Sequence, residues 1–167
     1  LDGWLIKEPV ILNPARMRRE SMSTYKTEAE VITVVRGFES CETDKAAFKH
    51  QDHLTVAVYY LQELSLEGAI EKMRNSLWRF IAHHNVDRRK YNETITVFWF
   101  ELVSEALGRI PSTASLVEKC NAIIESFNNA GLALEYYSTE VLFSDGAREM
   151  FVEPDLKHWR PERKAEG

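Results

Sequence analysis

Between residues 27 and 127 the apolar positions recur every three or four residues, the spacing of helices that each bury one face. Thr27 followed by Glu30 is a capping box ahead of an apolar run. It predicts a first helix with Val31, Val34, Val35 and Phe38 inward, ending near Cys41. Thr43 or Asp44 is the expected cap of a second helix, whose inward positions are Ala47, Leu54, Ala57, Val58, Leu61 and Leu64. Ser65 opens a third, with Ala69, Ile70, Met73, Leu77, Phe80 and Ile81 on its core face. After a polar loop from Asn85 to Lys90, a fourth helix starts at about Asn92. It carries Ile95, Phe98, Trp99, Leu102, Val103 and Ala106, and Gly108 and Pro111 mark its end. A fifth helix is expected to begin near Ser112 to Ser115, where Ser115 with Glu118 is a candidate second capping box, and to carry Leu116, Ala122, Ile123 and Phe127 before stopping at Asn128-Asn129. Ser138 and Ser144 cap two shorter turns. Period-two alternation is confined to Trp4–Leu12, a candidate short strand.

Helices of this length joined by short loops favour antiparallel neighbours. The expected fold is all-α: a single helical bundle of about five main helices with short C-terminal helical turns. Residues 27–156 form the bundle domain. Residues 1–26 read as an N-terminal extension, with Met22 a natural start, and 157–167 as a charged tail.

Composition agrees with a self-sufficient core. The chain has 167 residues, 44% hydrophobic and 28% charged. A chain of that size buries roughly two thirds of its unfolded surface without disulfide staples. A net charge of -5 argues against general nucleic-acid binding, which needs basic surface to neutralise phosphates. The basic runs Arg88-Arg89-Lys90 and Lys157–Lys164 read as solvated turns and tails. No apolar stretch approaches the ~20 residues of a membrane span, and residues 1–21 lack the pattern of a secretory signal. Cys41 and Cys120 are far apart and in no metal-ligand spacing, which suits a reducing, cytoplasmic setting.

The candidate chemistry is a histidine pair. His50 and His53 are three apart on helix two and share its core-facing stripe, His50 one turn before Leu54 and His53 one turn before Ala57. Bundle metal sites use inward-facing ligands at this spacing, completed by carboxylates from facing helices. On helix four, Asn92, Thr96, Trp99 and Val103 form a second stripe. If it faces helix two, Asn92 and Thr96 meet the histidines, and Glu93 is the nearest carboxylate. The candidate ligand-binding set is therefore His50, His53, Asn92, Glu93, Thr96 and Trp99, with His50 and His53 as candidate ligands of a divalent metal. Each residue has a plainer reading beside this one. The histidines can bond to backbone or to a buried hydroxyl. Asn92 makes a good N-cap, and Glu93 suits the helix dipole. Thr96 can bond one turn back. His83 and His84, at the end of helix three, are reserve ligands that also suit a helix C-terminus. Tyr59, Tyr60, Tyr91, Trp78 and Trp99 read as core or rim aromatics. Glycine phosphate loops, a nucleophile elbow and a Cys–His nucleophile pair are absent from the sequence.

A wider pattern runs through these motifs. Phe48–Leu54 (F-K-H-Q-D-H-L), Tyr91–Thr96 (Y-N-E-T-I-T) with Trp99, Tyr137-Ser138, Leu142-Phe143-Ser144, Ala147-Arg148 and Phe151–Leu156 (F-V-E-P-D-L) together resemble a bacterial family of small proteins with no assigned activity. The likeness covers roughly residues 27–156. It implies a histidine where this chain has Asn92, which would face His50 and His53 as a third ligand; an amide in that place binds transition metals poorly. Two functions are expected to compete. One is a bundle that binds a small molecule or metal in a histidine-containing polar pocket between helices two and four, with a histidine as general base if it is an enzyme. The other is a non-catalytic protein-interaction or structural module. A homodimer through the aromatic faces of helix three or four is a further expectation.

Overall fold

The computed structural model describes residues 23–159, so the expected N-terminal strand and the Met22 start lie outside the described residues. Within them the chain is all-α, with no strand. Seven α-helices follow in order: α1 (Glu28–Glu39), α2 (His50–Glu63), α3 (Leu66–His83), α4 (Glu93–Leu107), α5 (Leu116–Phe127), α6 (Thr139–Leu142) and α7 (Asp145–Glu149). Two 3₁₀ turns, Arg88–Lys90 and Ala130–Glu135, interrupt the loops before α4 and α6.

The caps behave as serine, threonine and asparagine caps should, by accepting a hydrogen bond from an otherwise unpaired N–H of the first turn. Thr27 and Ser115 form full capping boxes with Glu30 and Glu118. Ser65, Asn92, Ser138 and Ser144 cap α3, α4, α6 and α7.

α2 departs from expectation by starting at His50. Asp44 caps only a turn, its carboxylate accepting from the Ala46 N–H at 2.7 Å and its backbone carbonyl from the Ala47 N–H at 2.9 Å. Cys41, in the left-handed region at φ 61°, turns the chain out of α1, and the Thr43 N–H returns to the Gly37 carbonyl at 3.0 Å. A Cβ on Gly37 would come within 2.4 Å of the Thr43 hydroxyl, so any larger residue there requires the Thr43 side chain to move. The detour places Phe48 inside the core, stacked on Phe38 at 4.5 Å between ring centroids. α2 itself begins where Asp52 reaches back to the Lys49 N–H at 2.8 Å.

α2 and α4 are the central helices. α2 touches α1, α3, α4 and α5, and α4 touches α2, α3, α5 and α7. Both are therefore buried well beyond a single stripe, as a helix enclosed on several sides must be. Val56, Ala57 and Val58 are all fully buried on α2, and Phe98, Trp99 and Phe100 on α4. Leu64, expected inward, is 41% exposed, because it follows the last turn of α2. The chain after α7 folds back onto α4. Val152 N–H donates to the Thr94 hydroxyl at 3.1 Å, and the Tyr137 hydroxyl donates to the Val152 carbonyl at 3.0 Å. At the start of the segment expected as a charged tail, the Leu156 and Lys157 N–H groups donate to the Tyr136 carbonyl, and Trp159 lies edge-on to Phe98 at 5.0 Å. Among the described residues no helix is long and apolar enough to cross a membrane.

Candidate functional site

The first turns of α2 and α4 meet in the middle of the bundle, where both sets of sequence-predicted polar residues are buried. The two histidines nevertheless part company. His50 Nε2 bonds the Phe127 carbonyl at the end of α5, 2.9 Å away. Since a carbonyl only accepts, Nε2 carries the proton, and the ring lies against Trp99 at 4.6 Å. His53 is fully buried and packs on Phe48 at 4.3 Å. It also lines a small cavity with Asn92, Thr96, Tyr91 and Leu77. Burial, with His50 adding to it, pushes the His53 imidazolium far below its ordinary range, so the ring is neutral at physiological pH. The cavity is about 20 Å³, room for a water molecule rather than a metabolite.

The remaining polar groups of this seam are committed to backbone. Asn92 accepts from the Ile95 N–H at 3.0 Å and donates to the Leu142 carbonyl at 2.7 Å, fixing the start of α4 against α6. Thr96 donates to the Asn92 carbonyl at 3.0 Å. Trp99 is fully buried against His50 and Phe98. Thus the structure brings His53, Asn92 and Thr96 around one cavity, turns His50 toward α5 with Trp99 packed on its ring, and sends Glu93 elsewhere. Among the described residues no group of three or more His, Cys, Asp and Glu side chains is arranged to hold a metal ion. His83 and His84 meet edge-on at 4.8 Å, and His84 lies tilted against Phe80 at 4.3 Å.

Glu93 faces the other side of Tyr91. Arg74 of α3 grips it with two bonds, Nε to Oε2 at 2.9 Å and Nη2 to Oε1 at 2.5 Å, and the Tyr91 hydroxyl donates to Oε2. Burial alone would raise the Glu93 carboxyl, but Arg74 and Tyr91 outweigh it and hold the group below its usual range. Burial pushes the Tyr91 phenol up, and the Glu93 charge pushes it further, so it stays protonated and can only donate to that carboxylate. This trio forms part of the wall of a cleft of about 580 Å³, well within the range of small-molecule sites.

Four elements build the cleft. α3 supplies Arg74 and, one turn on, Trp78; the 3₁₀ turn supplies Arg88 and Arg89. Tyr91 and Glu93 come from the start of α4, and α7 with the residues after it supplies Asp145, Arg148, Glu149, Met150 and Phe151. Trp78 packs on Tyr91 at 4.7 Å, and the Arg88 guanidinium sits over the Trp78 ring at 4.9 Å, a cation–π contact. Arg148 Nη1 donates to the Arg89 carbonyl, tying α7 to the 3₁₀ turn. Apart from Glu93, sequence reasoning missed these residues as a site. It read the basic run as a solvated turn and the aromatics as core or rim. The one available signal was Arg74 and Trp78 on a shared face of α3, close in sequence to a basic turn and Tyr91.

Compared with known proteins, the chain matches no family model, no curated protein and no solved structure. The functional reading therefore rests on the geometry of the two adjoining cavities.

Proposed function

We propose that this protein is a small-ligand-binding helical bundle whose site is the cleft beside Tyr91, backed by the histidine-containing polar seam between α2 and α4. One observation carries the reading. Tyr91 lines both the open cleft and the water-sized His53 cavity, so the buried seam holds the wall against which a ligand rests. A binding site needs polar groups of fixed orientation on a mostly apolar lining. Tyr91 and Glu93, only 7% exposed and locked to Arg74, supply the fixed polar groups, while Trp78, Met150 and Phe151 supply the apolar lining. The buried, unbridged thiols of Cys41 and Cys120 support a reducing, cytoplasmic setting.

A thermal-shift screen against amino acids, organic acids, amines, nucleotides and divalent metals tests the reading, because a ligand of the folded state raises the melting temperature. A hit lost in Trp78→Leu and kept in His53→Gln is the expected result. A hit kept in Trp78→Leu and lost in His53→Gln would place the site in the histidine cavity. No hit from any class would leave the interaction-module alternative standing and overturn the proposal. Light scattering of the same samples reports whether the bundle pairs with itself.

A further inference from the structure

The charges of the cleft fall into two groups. Arg74 is matched by Glu93, and Arg89 by Asp87 at 3.1 Å. Arg88 and Arg148, by contrast, make no ion pair within 4.0 Å of a carboxylate among the described residues, and neither do Asp145 and Glu149. Arg89 acts on Asp145 only at longer range, and Arg148 is held by one bond to the Arg89 carbonyl. The cleft thus presents two guanidiniums and two carboxylates that are not neutralised by each other, next to an aromatic bench of Trp78 and Tyr91.

The carboxylates are one helical turn apart on α7, so they lie on one face of it. The Arg88 guanidinium is held over Trp78 on the 3₁₀ turn. A simple anion would gain from Arg88 and Arg148 but suffer from Asp145 and Glu149. A simple cation would meet the reverse. A molecule carrying both charges a few ångströms apart satisfies both sets.

We infer that the cleft takes a zwitterion with an aromatic body, an α-amino acid of the phenylalanine or tyrosine kind. Its carboxylate meets Arg88 and Arg148, its ammonium meets Asp145 and Glu149, and its ring lies on Trp78 and Tyr91. Guanidinium suits this part because its planar fork matches a carboxylate. The inference rests on the cleft being the ligand site.

Three isosteric probes separate the possibilities by calorimetry on the full chain: L-phenylalanine, 3-phenylpropionate without the amine, and phenethylamine without the carboxylate. Phenylalanine should bind at least about tenfold tighter than either, since each analogue leaves charged groups of the cleft unmatched. Arg88→Gln should weaken phenylalanine and leave phenethylamine unchanged. The double variant Asp145→Asn/Glu149→Gln should weaken phenylalanine and leave 3-phenylpropionate unchanged. These positions are on the surface of the cleft, so the variants fold. If either single-charge analogue matches phenylalanine, the zwitterion assignment falls while the cleft survives. If none of the three binds, the zwitterion assignment falls, and the fate of the cleft is read from the wider screen against Trp78→Leu.

Discussion

Asn92 and Glu93 are neighbours in sequence, both nearly buried, yet they serve opposite sides of the molecule. Asn92 turns inward to the seam, where its amide caps α4 and holds α6. Glu93 turns toward the cleft, where Arg74 and Tyr91 fix it as part of a wall. In the seam, polar groups close on backbone: His50 on Phe127, Asn92 on Ile95 and Leu142, Thr96 on Asn92. In the cleft, Arg88, Arg148, Asp145 and Glu149 line a space large enough for a ligand and form no ion pair with one another. The difference teaches that a buried polar residue in a bundle is first a structural element. Polar groups that burial does not require to be satisfied internally are the better guide to binding.

The comparison breaks most visibly if seam substitutions spare stability. Trp99→Ala should have the largest effect, since it removes a fully buried indole; the expected loss is about 3–5 kcal/mol, read from urea unfolding. Next comes Asn92→Ala. It deletes the α4 cap and leaves the Leu142 carbonyl without its donor, for a combined loss of about 2–3 kcal/mol. An unfolding midpoint within error of the native chain would show that the seam is not held as described.

A smaller effect separates the two regions by pH. His53 is neutral when folded, with its imidazolium pushed far below the ordinary 6.5, so the unfolded chain takes up a proton that the folded chain refuses. Stability from this group is complete above about pH 6.5 and is lost as pH falls below it, toward the depressed folded value. The urea midpoint should therefore fall between pH 7 and pH 5, and His53→Gln should flatten that slope. Equal slopes would mean that His53 is protonated in the fold. The smallest effect on stability belongs to the cleft. Arg88→Gln, at an exposed position, should change unfolding by no more than about 1 kcal/mol while weakening phenylalanine binding. A large loss of stability would make Arg88 a structural residue like those of the seam.

The architecture was legible because helix caps and apolar spacing are local signals: Thr27, Ser65, Asn92, Ser115, Ser138 and Ser144 all cap where the sequence predicted. The start of α2 was not legible, because Asp44 closes only a local turn and the chain after it is set by Phe48, which is held by tertiary contact with α1 and α3. The seam was legible as buried polar residues on helical stripes. What the stripe could not convey is direction: His50 swings to the end of α5 while His53 stays with Phe48 and Tyr91. The cleft was nearly invisible, since it joins α3 to a 3₁₀ turn and to the chain after α7, and no periodicity links Trp78 to Phe151. Arg88 and Arg89 looked like any solvated basic run.

The four tryptophans offer the most direct test of the central claim, because Trp78 stands in the cleft and Trp99 in the seam. With 5-fluorotryptophan incorporated and each resonance assigned by a Trp→Phe variant, L-phenylalanine can be titrated and followed by fluorine NMR. A saturable shift of the Trp78 resonance with Trp99 unmoved is the predicted result. A shift of Trp99 with Trp78 unmoved would contradict the account and return the site to the histidines.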